Sequence, residues 1–447
     1  MRLLPVLKET FARDHFKAMA ADAPSFLLDC TRQVGPDLWL GVGNVTMTVL
    51  SSPEALQHVL QKRASVWGRG STLAETRPLL GSGLVVSDPP LWLRQRRTMQ
   101  PAFHQAQAAR WLELSVQATD RALGRLVPDD VFHVRHALLR LTRETIVQAL
   151  FSDSLDADAD GIAEAFEVIE AFMGARSTLV TKLPVTVPTP QTQRYREAIA
   201  FLDERLFGLV ARRRAKTHPP AHHQTRLLRA TDPDTGEGMS DPQLRDELMN
   251  VFIAGHETTA NVVTWALALL ALHPHEAALV QAEVTRELGT STPTLESVAR
   301  LTRVAAVVRE TMRLYPPVCL VAREALEDDE VRSVRMRKGS VVLLPLFVTH
   351  RTSALWDEPE LFRPDRFRSE SSTDATVWKF RYLPFGAGPH VCIGMRLALL
   401  ECAVVLARFF QRGRLTLEAP QSVRHALGAT LMVADGLPAR FRPHAAD

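Results

Sequence analysis

The sequence predicts a mainly α-helical protein with small β-sheets, and three observations carry that reading. A stretch opened by Asp241-Pro242 and closed by His273-Pro274 holds Leu244, Leu248, Val251, Phe252, Thr258, Val262 and Trp265 between its punctuating residues. Roughly 30 residues at about 1.5 Å each make a helix on the order of 45 Å long. Residues 110–215 read as successive amphipathic helices, broken near Asp153–Asp160 and by the prolines between Pro184 and Pro190. Strand-like alternation shows in residues 38–50 around Gly43-Asn44, as a hairpin.

In chain order, the hairpin is followed by Ser52-Pro53-Glu54, a cap, a first-turn proline and an acid, so a helix starts there. Residues 66–90 are rich in Gly, Ser and Pro and read as a loop. Thr217–Gly238 is polar and reads as a surface linker ahead of the long helix. That helix carries too many Arg, Asp and Glu at its start to cross a membrane.

The hydrophobic share of 46% suffices for a large core, and a net charge of +3 gives no basis for a nucleic-acid partner. Cys30, Cys319, Cys392 and Cys402 are too scattered for a disulfide framework or a zinc pattern, which points to a reducing cytoplasm. The N-terminal stretch is interrupted by Pro5 and Lys8, short of the roughly 20 apolar residues of a membrane anchor and of a signal-peptide core.

The chemistry concentrates at Phe385-Gly-Ala-Gly-Pro-His-Val-Cys392-Ile-Gly394. The glycines permit a tight turn with positive φ. They deliver a thiol to the start of an apolar helix beginning near Met395, where unpaired N–H groups favour thiolate over thiol. Taken alone, a loop cysteine is more often a small buried filler. Three further segments stand in order around it: Ala254-Gly-His-Glu-Thr-Thr259 on the long helix, Glu310-Thr-Met-Arg313, and Phe362-Arg-Pro-Asp-Arg366-Phe367. Glu310 and Arg313 share one helix face and can pair. Ala254 and Gly255 are small residues in mid-helix, where glycine costs about 1 kcal/mol relative to alanine, a cost that suggests something needs the room.

Together these segments resemble the cytochromes P450, from about residue 35 to the C-terminus. The resemblance implies one domain over residues 1–447, with the small sheets in about 35–110 and 318–447, helices in 110–315, and the long helix crossing over a haem b (iron protoporphyrin IX). Cys392 would be the axial ligand of the haem iron, with Phe385 shielding the sulfur, Gly386 in the turn, and Gly394 letting the backbone approach the flat cofactor. Trp92, Arg96, Arg323 and His390 would meet the propionates; His390 stands where many members carry Arg, and it can lose its charge near neutral pH.

By the same resemblance, Ala254 and Gly255 leave room for dioxygen, Thr258 is the hydrogen-bonding alcohol and Glu257 the acid that relays protons. The plainer alternative is that Thr258 bonds back to its own helix and Glu257 sits in a salt bridge. His256 is read as a helix-face residue and not a ligand. Arg366 would complete a buried network with Glu310 and Arg313 that holds the cysteine loop. Cys402 reads as packing, and Cys319 either lines the pocket or fills the core.

The implied activity is that of a soluble, bacterial-type monooxygenase, cytoplasmic and without a stable membrane anchor. It would insert one oxygen atom from O2 into an apolar, lipid-like substrate: fatty acid, terpenoid, carotenoid or macrolide. Pocket candidates are the 66–90 loop, Val251, Ala254, Val318–Val321 and Ala429–Leu431. The chain shows no flavin or nicotinamide motif, so electrons would come from a separate ferredoxin or flavodoxin with its reductase. Arg94, Arg97, Lys379, Arg381 and Arg396 are candidates to attract it. The rival readings are a peroxide-fed peroxygenase and a haem sensor or carrier without turnover.

Overall fold

The computed structural model describes residues 6–7, 12–42, 45–151, 159–177, 185–214, 230–368 and 379–444. Its helices are α1 (Ala12–Val34), α2 (Pro53–Gln57), α3 (Arg77–Leu80), α4 (Leu91–Met99), α5 (Ala108–Gly124), α6 (Val134–Phe151) and α7 (Ala159–Ser177). They continue with α8 (Pro190–Arg214), α9 (Asp241–Leu272), α10 (Pro274–Leu288), α11 (Leu295–Ala299), α12 (Thr302–Leu314), α13 (Leu346–Thr349) and α14 (Met395–Arg412).

Strands β1 (Val6–Leu7), β2 (Asp37–Val42), β3 (Val45–Leu50), β4 (Trp67–Gly68), β6 (Leu320–Ala325) and β9 (Val341–Pro345) form one sheet, in the order β1-β2-β3-β9-β6-β4. A second sheet joins β10 (Gly413–Leu417), β13 (Pro438–Pro443) and β5 (Val131–His133). Two hairpins, β7 (Asp329–Val331) with β8 (Val334–Met336) and β11 (His425–Leu427) with β12 (Leu431–Val433), complete the set.

The local signals act as their chemistry requires. β2 and β3 pair antiparallel from Asp37↔Leu50 to Val42↔Val45, so the expected hairpin forms, and its turn at Gly43-Asn44 lies outside the described residues. The Ser52 hydroxyl caps α2 by accepting the Ala55 N–H at 3.3 Å. Ser240 caps α9 in the same way, with Pro242 in the first turn, and the helix runs 32 residues to the break at His273-Pro274. Ala260 to Leu270 of α9 are buried on every face, which is why that half is apolar all round rather than striped. The largest core wraps it with α5, α6, α10, α12 and α14.

One expectation changes. The stretch 110–315 is not wholly helical: β5 interrupts it, because the C-terminal strand β13 uses Val131–His133 as its edge partner. The interruption at 152–158, Pro184, and most of the polar 217–238 linker lie outside the described residues. The described end of that linker, residues 230–238, is pinned by a Thr231↔Gly238 bridge. Among the described residues no single helix is long and apolar enough to cross a membrane.

Candidate active site

The cysteine loop is built by backbone geometry. Leu383 O accepts the Gly386 N–H at 3.0 Å, and Phe385 O accepts the Cys392 N–H at 2.9 Å, closing a turn just ahead of α14. Gly386 and Gly388 take φ of +70° and +67°. A side chain on Gly388 would also strike the Leu60 carbonyl, so α2's extension and the loop touch backbone to backbone. Phe385 packs against the principal core. Gly394 is different: its φ is −86°, and a Cβ there would meet only the Cys392 sulfur at 3.9 Å. Nothing within the protein demands glycine at 394, which is the expectation for a residue facing a flat cofactor.

Cys392 is exposed, and its sulfur sits at the N-terminus of α14. The protein around it pushes the thiol up, against the Gly394 N–H, the Arg96 charge and the Met395 N–H, which all favour thiolate. Cys402 and Cys319 are buried fillers, the latter beside Leu431 in the core under β2 and β3.

Behind the loop lies the expected ion network. Glu310 takes two hydrogen bonds from Arg313, each 2.8 Å, and a third from Arg366 at 3.2 Å. Arg313 also donates to the carbonyls of His350, Pro359 and Leu361. Sequence reasoning missed His350. Its Nε2 accepts the Leu383 N–H at 2.8 Å, which joins the network to the start of the cysteine loop.

A cationic cluster gathers beside the loop. The Trp92 and His390 rings lie 4.1 Å apart, and Arg96 donates to Val391 O at 2.8 Å, tying α4 to the loop. Burial, and then the charge of Arg323 on β6, push the Arg69 guanidinium down to about 10; burial also lowers Arg323, and Asp88 opposes both shifts. Arg69, not anticipated from sequence, is held by the carbonyls of Leu84 and Ser87 at 3.2 and 2.7 Å. Burial and the charges of Arg69, Arg323 and Arg96 push His390 down to about 3, with only Asp88 opposing. The protein's own groups around His390 thus oppose its protonation, all but Asp88. Three guanidinium groups facing one carboxylate, with His390 Nδ1 buried and without a hydrogen-bond partner, suit an anionic ligand such as the two propionates of haem.

On α9, Ala254 is exposed in mid-helix, and the Thr258 hydroxyl donates back to Ala254 O at 2.8 Å. Gly255 does not share that open face. A Cβ on it would lie 2.2 Å from Ile146 Cδ1, so its smallness serves the contact with α6 and not space for dioxygen. Neighbours on a helix are rotated by about 100°, and the sequence alone does not say which of two small residues faces inward.

Glu257 is buried, accepting from Thr430 at 2.8 Å and from Arg135 at 3.2 Å, so the salt bridge held open above is present. Burial and the nearby Glu170 raise its carboxyl, while Thr430, Arg135 and His256 oppose. His256 is interior rather than on an open helix face, bonded to Phe252 O and to Glu170 at 2.9 and 2.7 Å.

Of the pocket candidates, Val251, Cys319 and Leu431 are buried among core side chains, while Ala254, Val318 and Ala429 are exposed. The 66–90 loop packs along the first half of α9. Ser82, Leu84 and Val85 donate their N–H groups to Asp246, Glu247 and Asn250. Among the basic candidates, Arg94 and Arg97 are already paired with Asp232, Asp234 and Glu237. Arg381 donates to Leu355 O and lies over Trp356. Lys379 and Arg396 are exposed.

Comparison with known proteins agrees with this geometry. Residues 14–434 match the cytochrome P450 family. Cyclooctatin synthase of Streptomyces melanosporofaciens is 33% identical over 368 residues, covering 81% of this chain and 79% of the relative. The chloroplastic protein LUTEIN DEFICIENT 5 of Arabidopsis thaliana is 29% identical over 423 residues, covering 89% and 70%. The crystal structure of the cytochrome P450DA haem domain superposes with a TM-score of 0.90 at 26% identity, covering 99% of this chain and 98% of that one. A family match over nearly the whole chain, on a fold shared end to end with a P450 haem domain, leads to one conclusion: this chain belongs to the cytochrome P450 family, and it is a haem-dependent monooxygenase.

Proposed function

We propose that Cys392 binds the haem iron as a thiolate and that the chain, as one P450 domain, hydroxylates or otherwise oxygenates an apolar, terpenoid-like substrate. The observation that carries this is the Cys392 sulfur at the N-terminus of α14, with the N–H groups of Gly394 and Met395 favouring its charged form. Bound there, haem would supply the reduction and cleavage of dioxygen, favoured by a thiolate ligand.

The chain's own residues supply the rest. Trp92, Arg69, Arg96, Arg323 and His390 would hold the propionates and so orient the cofactor. Ala254 leaves the middle of α9 open. Thr258 offers a hydroxyl at that opening, and Glu257 is the acid from which protons are drawn. Burial shifts the Glu257 carboxyl toward its protonated form, the form a proton donor needs.

Support for the substrate class comes from two relatives of one Streptomyces species, cyclooctatin synthase and cyclooctat-9-en-7-ol 5-monooxygenase, and from a carotene epsilon-monooxygenase of Arabidopsis thaliana. Electrons come from a separate ferredoxin- or flavodoxin-type donor, in the cytoplasm.

The test is the absorption spectrum of the reduced, carbon-monoxide-bound protein beside Cys392→Ser. A strongly red-shifted Soret band in the parent, absent from the variant, is expected. An ordinary haem–CO band in the folded parent would overturn the thiolate assignment and favour a haem carrier.

A further inference from the structure

The acid on α9 is gripped by three separate elements. The Glu257 carboxylate accepts from the Thr430 hydroxyl, in the β11–β12 turn, at 2.8 Å and from Arg135, on α6, at 3.2 Å. Asn261, one turn further along α9, donates its amide to Thr430 Oγ1 at 2.7 Å and accepts from Arg135 Nε at 2.9 Å. The four side chains close a ring.

Its polarity is determined by the donor inventory. Arg135 can only donate, so Asn261 turns its oxygen to Arg135 and its NH2 to Thr430. With its lone pair engaged by Asn261, Thr430 has one proton left, and Glu257 Oε1 is where it points. Both donors fall on the same carboxylate oxygen, Oε1.

We propose that Thr430 is a positioning residue for Glu257, holding the carboxyl group of the proton-delivering acid from the C-terminal hairpin. The inference rests on the role given to Glu257 above. Ala429–Leu431 are among the pocket candidates that the sequence offers. Ala429 is indeed exposed, but Thr430 is turned inward and buried. The hairpin thus touches the open side with one residue and the acid with the next.

The charged and titratable groups around Glu257 are Arg135 from α6, Glu170 from α7 and His256 from α9 itself; the hairpin contributes only the Thr430 hydroxyl. Thr430 and Arg135 favour the carboxylate, and Glu170 disfavours it. Removing the hydroxyl while keeping the shape should therefore raise the proton affinity of Glu257 alone.

Infrared difference spectra over a pH series, with the Glu257 carboxyl band identified by its loss in Glu257→Gln, read that affinity directly. Thr430→Val should move the titration midpoint up by about one pH unit, a tenfold change in proton affinity. Thr430→Ser should restore it. If Thr430→Val does not accumulate as folded protein, Thr430→Ala removes the same hydroxyl with less bulk. A midpoint that is the same in the parent and in the variant lacking the hydroxyl overturns the proposal. The carbon monoxide spectrum of the same parent sample tests the thiolate reading separately, since the titration needs neither substrate nor electron donor.

Discussion

His350 Nε2 accepts a hydrogen bond from the Leu383 N–H at 2.8 Å, while the His350 carbonyl accepts one from Arg313 at the same distance. One buried residue thereby joins the ion network to the chain that turns into the cysteine loop. The bond requires a neutral ring protonated on Nδ1, a tautomer assigned from the bond itself. Burial, with Arg313 and Arg351 beside it, pushes the ring down to about 3.

The unfolded ring takes its proton near pH 6.5, the folded one near 3. Between those values the unfolded state binds the extra proton, so stability falls as pH drops through this window and is insensitive to His350 above it. Denaturant unfolding should lose up to ~1.4 kcal/mol per pH unit to this ring on acidification. His350→Asn keeps an acceptor without titrating and should flatten the slope; equal slopes would contradict the assignment.

Glu310→Ala leaves two guanidinium groups, one fully buried and one nearly so, without their carboxylate. The expected cost is about 3–5 kcal/mol, together with failure to retain haem. Thermal unfolding and the ratio of haem to protein absorbance measure both, and a variant with parental haem content would count against the network as the loop's anchor.

Two glycines should fail in different ways. Gly255→Ala drives a methyl into Ile146 Cδ1 and should cost roughly 1–3 kcal/mol, partly recovered when Ile146→Val removes that carbon. Gly394→Ala meets no obstructing protein atom and should leave the haem-free protein as stable as before while weakening haem binding. Melting curves with and without haem separate the cases; a destabilised haem-free Gly394→Ala protein would remove the argument.

Arg69→Met should speed haem loss to a scavenging apoprotein several-fold, with Arg69→Lys intermediate, because the charge matters as well as the carbonyl contacts to Leu84 and Ser87. Unchanged transfer rates in both variants would exclude Arg69 from the propionate site.

What the sequence made legible was what is written locally. Asp241-Pro242 and His273-Pro274 bound α9 by chemistry confined to a few neighbouring residues, and the turn before Cys392 is spelled in its own glycines. What stayed hidden depends on distant partners. Thr430 lies 173 residues from Glu257, and neither it nor Asn261 belongs to a recognisable short pattern. Arg69 looks like any loop arginine until β6 brings Arg323 beside it. Gly255 and Ala254 differ only in which way the helix turns them.

The pairing of Arg94 and Arg97 with Asp232, Asp234 and Glu237 carries a kinetic consequence. Two of the positive charges that the sequence offers an incoming electron donor are cancelled within the molecule by the segment leading into α9. A donor meeting this face would find little long-range attraction, and its association rate should respond only shallowly to added salt.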